Sequence, residues 1–530
     1  MLFRKKLSTM SLLVLASLSL FNVNGDRLPE KIVNIMQQSK YQHANWGLFA
    51  KDAVTGKVLF DLNSDQMFLP ASTTKLFSVA ALYHAYGDDY QFKTPVYALG
   101  SIQNGRLTGN LVLVAQGDLT MGGRQNDSNQ IAYTKMDHIY ANFIPGAILT
   151  EQDPLHGLNE LAKQIQEKGI KEVDGDLLID DRLFQTTEKR GMVISPMMIN
   201  ENVVDLIINP SEMGKTADLT WRPNVPGYVV KNEVKTVSKD ESLDIKISSD
   251  ELGKTILVQG TIPLGQKEII RTFSIKDPNH FARAALIQAL RAQGIVVNLP
   301  EGKSSQLPPQ SVFRDLQPVA VWTSPPLTEY AKLILKVSHN LGADLIPLLL
   351  AVRKGEKTFD AGMRELGNFI IEEVKLSPDA FVLEDAAGGG ENRLTPKGEV
   401  QLLDYTRKVP SKFTIYYNAL PIQGIDGSLE DFGKVLPGAG KIRAKPGTGV
   451  SFNKATNQYF LTTQALTGYI IGQNGNLFEF MLVVNNAKMP EISDVFPIFE
   501  DLSQISSIIY EHTVESKLPK ISPLKPTGKS

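Results

Sequence analysis

Between about residues 90 and 315 the chain is a succession of short strand-like runs, and this constrains the fold more than any other feature. The runs at 109–115, 176–179, 203–208, 243–247 and 255–260 are apolar or β-branched and of strand length, with helical patterning only at 158–168 and 280–293. The flanks read differently. Ahead of this region, runs at 46–52 and 57–61 enclose Ala53-Val54-Thr55-Gly56 as a hairpin and lead into an apolar helical run at 74–83. Behind it, helical patterning resumes at Pro326 and passes Ser338 towards Leu349, strands follow at 441–444, 465–471 and 478–484, and a helix closes at 498–510. One discontinuous α/β domain, 26–90 with 316–515, is therefore predicted, with 91–315 as a β-rich insertion of one or two modules.

Both ends of the chain are distinct. Arg4, Lys5 and Lys6 precede an apolar run at 10–21, with the small residues Val23 and Gly25 after it, which reads as a secretory signal peptide over 1–25. The run is shorter than the roughly 20 residues of a spanning helix. Residues 516–530 are rich in proline and lysine and read as a disordered tail. An exported chain without cysteine must be held by its core, which a chain of 530 residues with 42% hydrophobic residues can supply.

Loss of the three basic residues at the start moves the formal charge from −2 to −5, which argues against a nucleic-acid partner. The seven histidines lack metal-ligand spacing. No metal or cofactor is expected, and Gly388-Gly389-Gly390 reads as a turn, since no G-x-x-x-x-G-K-[ST] is present.

The chemistry is concentrated in Pro70-Ala71-Ser72-Thr73-Thr74-Lys75. Helix positions i and i+3 share a face, so the Ser72 hydroxyl and the Lys75 amine meet at a helix N-terminus with its orphan N–H groups. Serine becomes a nucleophile when a neighbour takes its proton, and lysine does so only when burial or nearby cations lower its pKa far below about 10.4. Alone, the pattern also describes a helix N-cap, and Ser522 and Lys525 repeat it in the tail. Two further elements give it partners: Ser338-His339-Asn340, an S-x-N triplet within a helical segment, and Lys445-Pro446-Gly447-Thr448-Gly449 after the strand-like 441–444. The order S-x-x-K, S-x-N, K-x-G is that of penicillin-recognising serine acyltransferases.

With these motifs the chain resembles the D-alanyl-D-alanine carboxypeptidases of the class C low-molecular-mass penicillin-binding proteins, peptidase family S13. The resemblance extends to Thr323-Ser324-Pro325-Pro326-Leu327, to Asn392-Arg393-Leu394-Thr395-Pro396, and to Leu420-Pro421-Ile422 with Gly427-Ser428-Leu429. It also includes the 265 residues between Ser72 and Ser338. It implies a penicillin-binding, β-lactamase-like α/β domain, an antiparallel sheet flanked by helices with a long β-rich insertion, in a periplasmic enzyme acting on peptidoglycan stem peptides and acylated by β-lactams. Ser72 would attack the carbonyl between two D-alanines with Lys75 as base; Ser338, Asn340 and Lys445 would serve proton transfer and orientation. The amides of Ser72 and Thr448 would hold the oxyanion, Lys445 and Thr448 the terminal carboxylate, and Gly447 would belong with them to the oxyanion and substrate-binding set. Asp180, in Ile179-Asp180-Asp181-Arg182-Leu183-Phe184, would contact the cationic side chain of the stem peptide, or be a surface charge at a strand end. The same serine would also serve endopeptidase cleavage of cross-links.

Three positions depart from the family pattern. Pro446 replaces the threonine of K-T-G, which removes a hydroxyl and an N–H. The family's D-G-S-G-L-S-R reads Glu384-Asp385-Ala386-Ala387-Gly388-Gly389-Gly390, without its arginine. His339 takes the middle place of S-x-N and reads as a helix-surface histidine or a pH-sensitive contact. Two other functions use the same residues: a β-lactamase or esterase, and a non-catalytic wall-binding protein that keeps only the cleft. The first ranks lower, because no deacylating carboxylate near Ser72 follows the class A pattern and Ser338 stands where class C β-lactamases carry tyrosine.

Overall fold

A computed structural model describes residues 26–300 and 305–513, and the expected signal peptide and tail lie outside the described residues. Packing divides the chain into two compact units, Met1–Leu76 with Ile370–Ser530, and Phe77–Phe369. These boundaries differ from the composition changes at 90/91 and 315/316. The helices Leu327–Lys336 and Asn340–Arg353 belong to the second unit.

The first unit is built on a five-stranded antiparallel sheet. Its strands are β1 (Asn45–Asp52), β2 (Val58–Leu62), β3 (Ile442–Asn453), β4 (Gln458–Ile471) and β5 (Leu477–Lys488), in the order β3-β4-β5-β1-β2. Alternation along each strand sends side chains to opposite faces. Leu48, Ala50, Leu482 and Val484 share one core with Ile498, Leu502, Ile505 and Ile509 of the helix Val495–His512. Phe49, Met481 and Val483 share another with Val400 of the helix Pro396–Arg407. Each large apolar side chain buried this way contributes about 1.5–3 kcal/mol, so covering both faces with helices holds the sheet without disulfides. β3 is an edge strand, where a proline such as Pro446 is tolerated.

The second unit carries the expected strand-rich region. Arg106–Val114 pairs with Lys93–Gln103, Glu172–Asp174 and Leu177–Asp180 in a six-stranded sheet, and two three-stranded sheets centre on Val203–Asn209 and Thr255–Pro263. The helices His156–Glu167 and Pro278–Ala292 contribute Leu158, Leu161, Ile165, Phe281, Leu286 and Leu290 to its core. Among the described residues no helix is long and apolar enough to cross a membrane.

Candidate active site

Ser72 lies in a 3-10 turn, Ala71–Thr74, that runs directly into the helix Lys75–Tyr86. The turn is forced into place from several sides. Ala71 adopts φ 46°, a left-handed conformation that a residue with a Cβ rarely takes. Upstream, Asn485 of β5 accepts the Leu69 N–H at 2.9 Å, and the Thr463 hydroxyl of β4 donates to the Leu69 carbonyl at 2.7 Å. Downstream, the Thr73 hydroxyl reaches Glu399 Oε1 at 2.5 Å.

Two glycines allow backbone to press on this turn. A Cβ at Gly447 would meet the Pro70 carbonyl oxygen at 2.3 Å and the Ser72 nitrogen at 3.1 Å. At Gly388, φ +103°, a Cβ would meet the Ala71 carbonyl oxygen at 1.9 Å and the Ser72 nitrogen at 2.8 Å. Any side chain at either position would displace the Ser72 amide.

Lys75 is fully buried, with Nζ 2.7 Å from Ser72 Oγ and 2.7 Å from the Ala387 carbonyl oxygen. That carbonyl is set by Asp385, whose Oδ1 accepts the N–H groups of Ala387, Gly388 and Gly389 at 3.1, 2.8 and 2.9 Å. Asn392 ties the loop back on itself, donating to the Asp385 carbonyl at 3.0 Å and accepting the Glu384 N–H at 2.8 Å. The glycine run is therefore a bend organised by a side-chain carboxylate.

Lys445, also fully buried, sits on β3 and donates to the Pro446 carbonyl at 2.7 Å. Burial, and after it the charge of Lys75, push its amine well below the ordinary lysine range. Thr448, exposed one residue beyond Gly447, donates its hydroxyl to Gln464 Oε1 at 2.9 Å. The first unit thus gathers Ser72, Lys75, Lys445, Gly447 and Thr448, and a hydroxyl this close to an amine can lose its proton to that amine when it is neutral. Burial raises Glu399 to about 7, against the lowering effect of the Thr467 and Thr73 hydroxyls.

The S-x-N triplet belongs to the second unit and does not lie inside one continuous helix. One helix ends at Lys336 and the next starts at Asn340, with Ser338 between them at φ 65°. A left-handed serine breaks the i→i−4 ladder, so an apolar pattern that runs past 338 hides a corner. His339 is not on a surface: it is fully buried, and its Nδ1 accepts the Gly342 N–H at 3.0 Å. Burial pushes it down to about 4, so it is neutral at physiological pH.

Asp180 is buried rather than a surface charge, and Arg182 binds both its oxygens, Nε at 2.8 Å and Nη2 at 2.7 Å. Asp385, the Ala387 carbonyl, Gly388, Asn392 and Glu399 were not assigned roles from sequence. The one legible signal was an acid opening a run of small residues, an Asx-turn pattern.

The model of the D-Ala-D-Ala carboxypeptidase 3 (S13) family matches residues 28–499. The chain is 25% identical over 474 residues to D-alanyl-D-alanine carboxypeptidase DacB of Haemophilus influenzae, covering 84% of this chain and 88% of that protein. It is 24% identical to a D-alanyl-D-alanine carboxypeptidase of Actinomadura sp., covering 90% and 84%. In structure it is similar to penicillin binding protein 4 of H. influenzae, solved also in complex with a β-lactam, with TM-score 0.68 at 22% identity over 91% of this chain; 98% and 99% of those two chains are covered. The fold is that of a penicillin-binding protein.

Proposed function

The chain belongs to the D-Ala-D-Ala carboxypeptidase 3 (S13) family of serine-type hydrolases, and from that premise we propose that it is an exported, periplasmic D,D-carboxypeptidase that removes the terminal D-alanine of peptidoglycan stem peptides through an acyl group carried on Ser72. The observation that carries this reading is the 2.7 Å approach of Lys75 Nζ to Ser72 Oγ, with the amine aligned by the Ala387 carbonyl.

In the acylation step Ser72 Oγ bonds to the carbonyl carbon between the two D-alanines while Lys75 takes its proton. The peptide C–N bond breaks as the departing amine receives a proton from Ser338, assisted by Lys445, with Asn340 orienting the peptide. The amides of Ser72 and Thr448 hold the oxyanion, and the close approach permitted by Gly447 supports that role. The terminal carboxylate is held by Lys445 and the Thr448 hydroxyl; an anion there restores the ammonium form that burial disfavours. Water then releases the acyl group.

A β-lactam acylates the same serine, and cross-link endopeptidase cleavage would use it too. Residues 91–315 are read as an insertion in the discontinuous catalytic domain 26–90 and 316–515. Asp180 contacts a stem-peptide cation only where Arg182 yields it.

Fluorescent penicillin should label the wild type and leave Ser72→Ala unlabelled, and the wild type should release D-alanine from a muropeptide pentapeptide. Labelling of Ser72→Ala, or labelling of the wild type without D-alanine release, would overturn the reading.

A further inference from the structure

Within the second unit, the S-x-N corner rests on one tyrosine. Tyr140 ends the short 3-10 turn His138–Tyr140, which Asp137 caps by accepting the Ile139 N–H at 3.2 Å. The Tyr140 hydroxyl donates to the Ser338 carbonyl, in the peptide that leads into the turn before Asn340. The phenol oxygen therefore holds the corner at its left-handed residue, Ser338, a conformation that persists only where its surroundings impose it.

The turn bearing Tyr140 is anchored by a chain of buried ion pairs. Arg124 donates to both Asp137 oxygens, at 2.7 and 3.0 Å, and through Nε to Glu201 at 2.6 Å. His138 lies between two carboxylates, Nε2 3.0 Å from Glu201 Oε2 and Nδ1 2.7 Å from Asp205 Oδ1. Arg222 Nε completes the chain, 3.1 Å from Asp205 Oδ2. Glu201 is aimed into it by three consecutive left-handed residues, Asn200, Glu201 and Asn202, at φ 50°, 52° and 58°.

With both ring nitrogens on carboxylates, His138 is an imidazolium; Arg124, His138 and Arg222 then balance Asp137, Glu201 and Asp205. Any shift of the 137–140 turn would strand a buried charge, so the turn has few alternative positions. Burial keeps the Tyr140 phenol protonated and donating.

We propose that Tyr140 is a positioning residue for the reaction: its hydroxyl holds the Ser338–Asn340 corner in its working shape, and the ion chain Asp137–Arg124–Glu201–His138–Asp205–Arg222 holds Tyr140. This rests on the roles given above to Ser338 and Asn340. His339 is not hydrogen-bonded to the tether: its buried Nε2 is 3.9 Å from Asp137 Oδ1 and has no hydrogen-bond partner among the described residues.

The test uses the mature chain and four proteins: wild type, Ser338→Ala, Tyr140→Phe and Arg124→Ala. Tyr140→Phe removes one oxygen and keeps the ring, so it remains informative where Arg124→Ala does not fold. The readouts are the rate of acylation by fluorescent penicillin, kcat and KM for D-alanine release, and Tm. For Tyr140→Phe the expected result is a fall of about tenfold or more in kcat and acylation rate with KM within about twofold, the signature of misplaced groups at an intact binding surface. Tyr140→Phe at wild-type rates, or altered only in Tm or KM, beside an inactive Ser338→Ala overturns this inference and leaves the proposed function standing. An active Ser338→Ala overturns the role given to Ser338, and this inference with it.

Discussion

The two units treat buried cations in opposite ways. In the first, Lys75 and Lys445 give hydrogen bonds to a hydroxyl and to carbonyl oxygens, and the charge of Lys75 helps to hold Lys445 well below the lysine range. In the second, Arg124 and His138 each lie against two carboxylates, and their charges are kept: burial would lower His138, yet Asp205 and Glu201 raise it to about 10. The same carboxylates pay a reciprocal effect, since burial would raise Glu201 but Arg124 brings it to about 2. Neutral oxygen partners leave an amine able to exchange protons; carboxylate partners make a cation a structural pin.

The comparison breaks first at Lys445. Replacing it by methionine should lower acylation by about 10²–10⁴-fold, while Tm holds or rises, because a buried amine whose charged form is already disfavoured gives way to an apolar side chain of similar length. A large drop in Tm would show that Lys445 is a structural pin after all.

Arg124→Ala should do the reverse to stability. It strands Asp137 and Glu201, and thermal or urea unfolding should report a loss of about 3–5 kcal/mol. The pH signature follows from His138. Its folded pKa is raised, so its contribution is complete below about 6.5 and is lost as pH rises through about 10. Melting curves at pH 6, 8 and 10 should fall more steeply for the wild type than for His138→Gln, and parallel curves would contradict an imidazolium at 138.

Glu399 should give the smallest effect and the opposite sign from an ordinary paired acid. Its carboxyl is raised to about 7, so the folded state binds the extra proton between about 4.5 and 7, and stability declines across that window. Glu399→Gln should remove the decline, on the order of 2 kcal/mol, in Tm measured at pH 5 and pH 7.5. An unchanged decline would mean that Glu399 ionises normally beneath the Ser72 turn.

Legibility followed the range of the contact. The strand runs at 46–52, 203–208 and 478–484 were readable because a strand-length apolar or β-branched run is a local signal, and Ser72 with Lys75 because three positions make one helical turn. Ser338 was misread as helical because its corner is imposed without glycine or proline. His339 was misread as exposed because its burial comes from the packing around it. The tether through Tyr140 joins residues 198 apart, and no spacing rule reaches that far.

Residue type and short-range order alone therefore determined the three motifs, the strand-rich character of 91–315, and the family to which the chain belongs. Tertiary structure alone decided which buried charges are disfavoured and which are kept. That outcome depends on how much water and how many opposite charges surround each group, and those are supplied by segments hundreds of residues away.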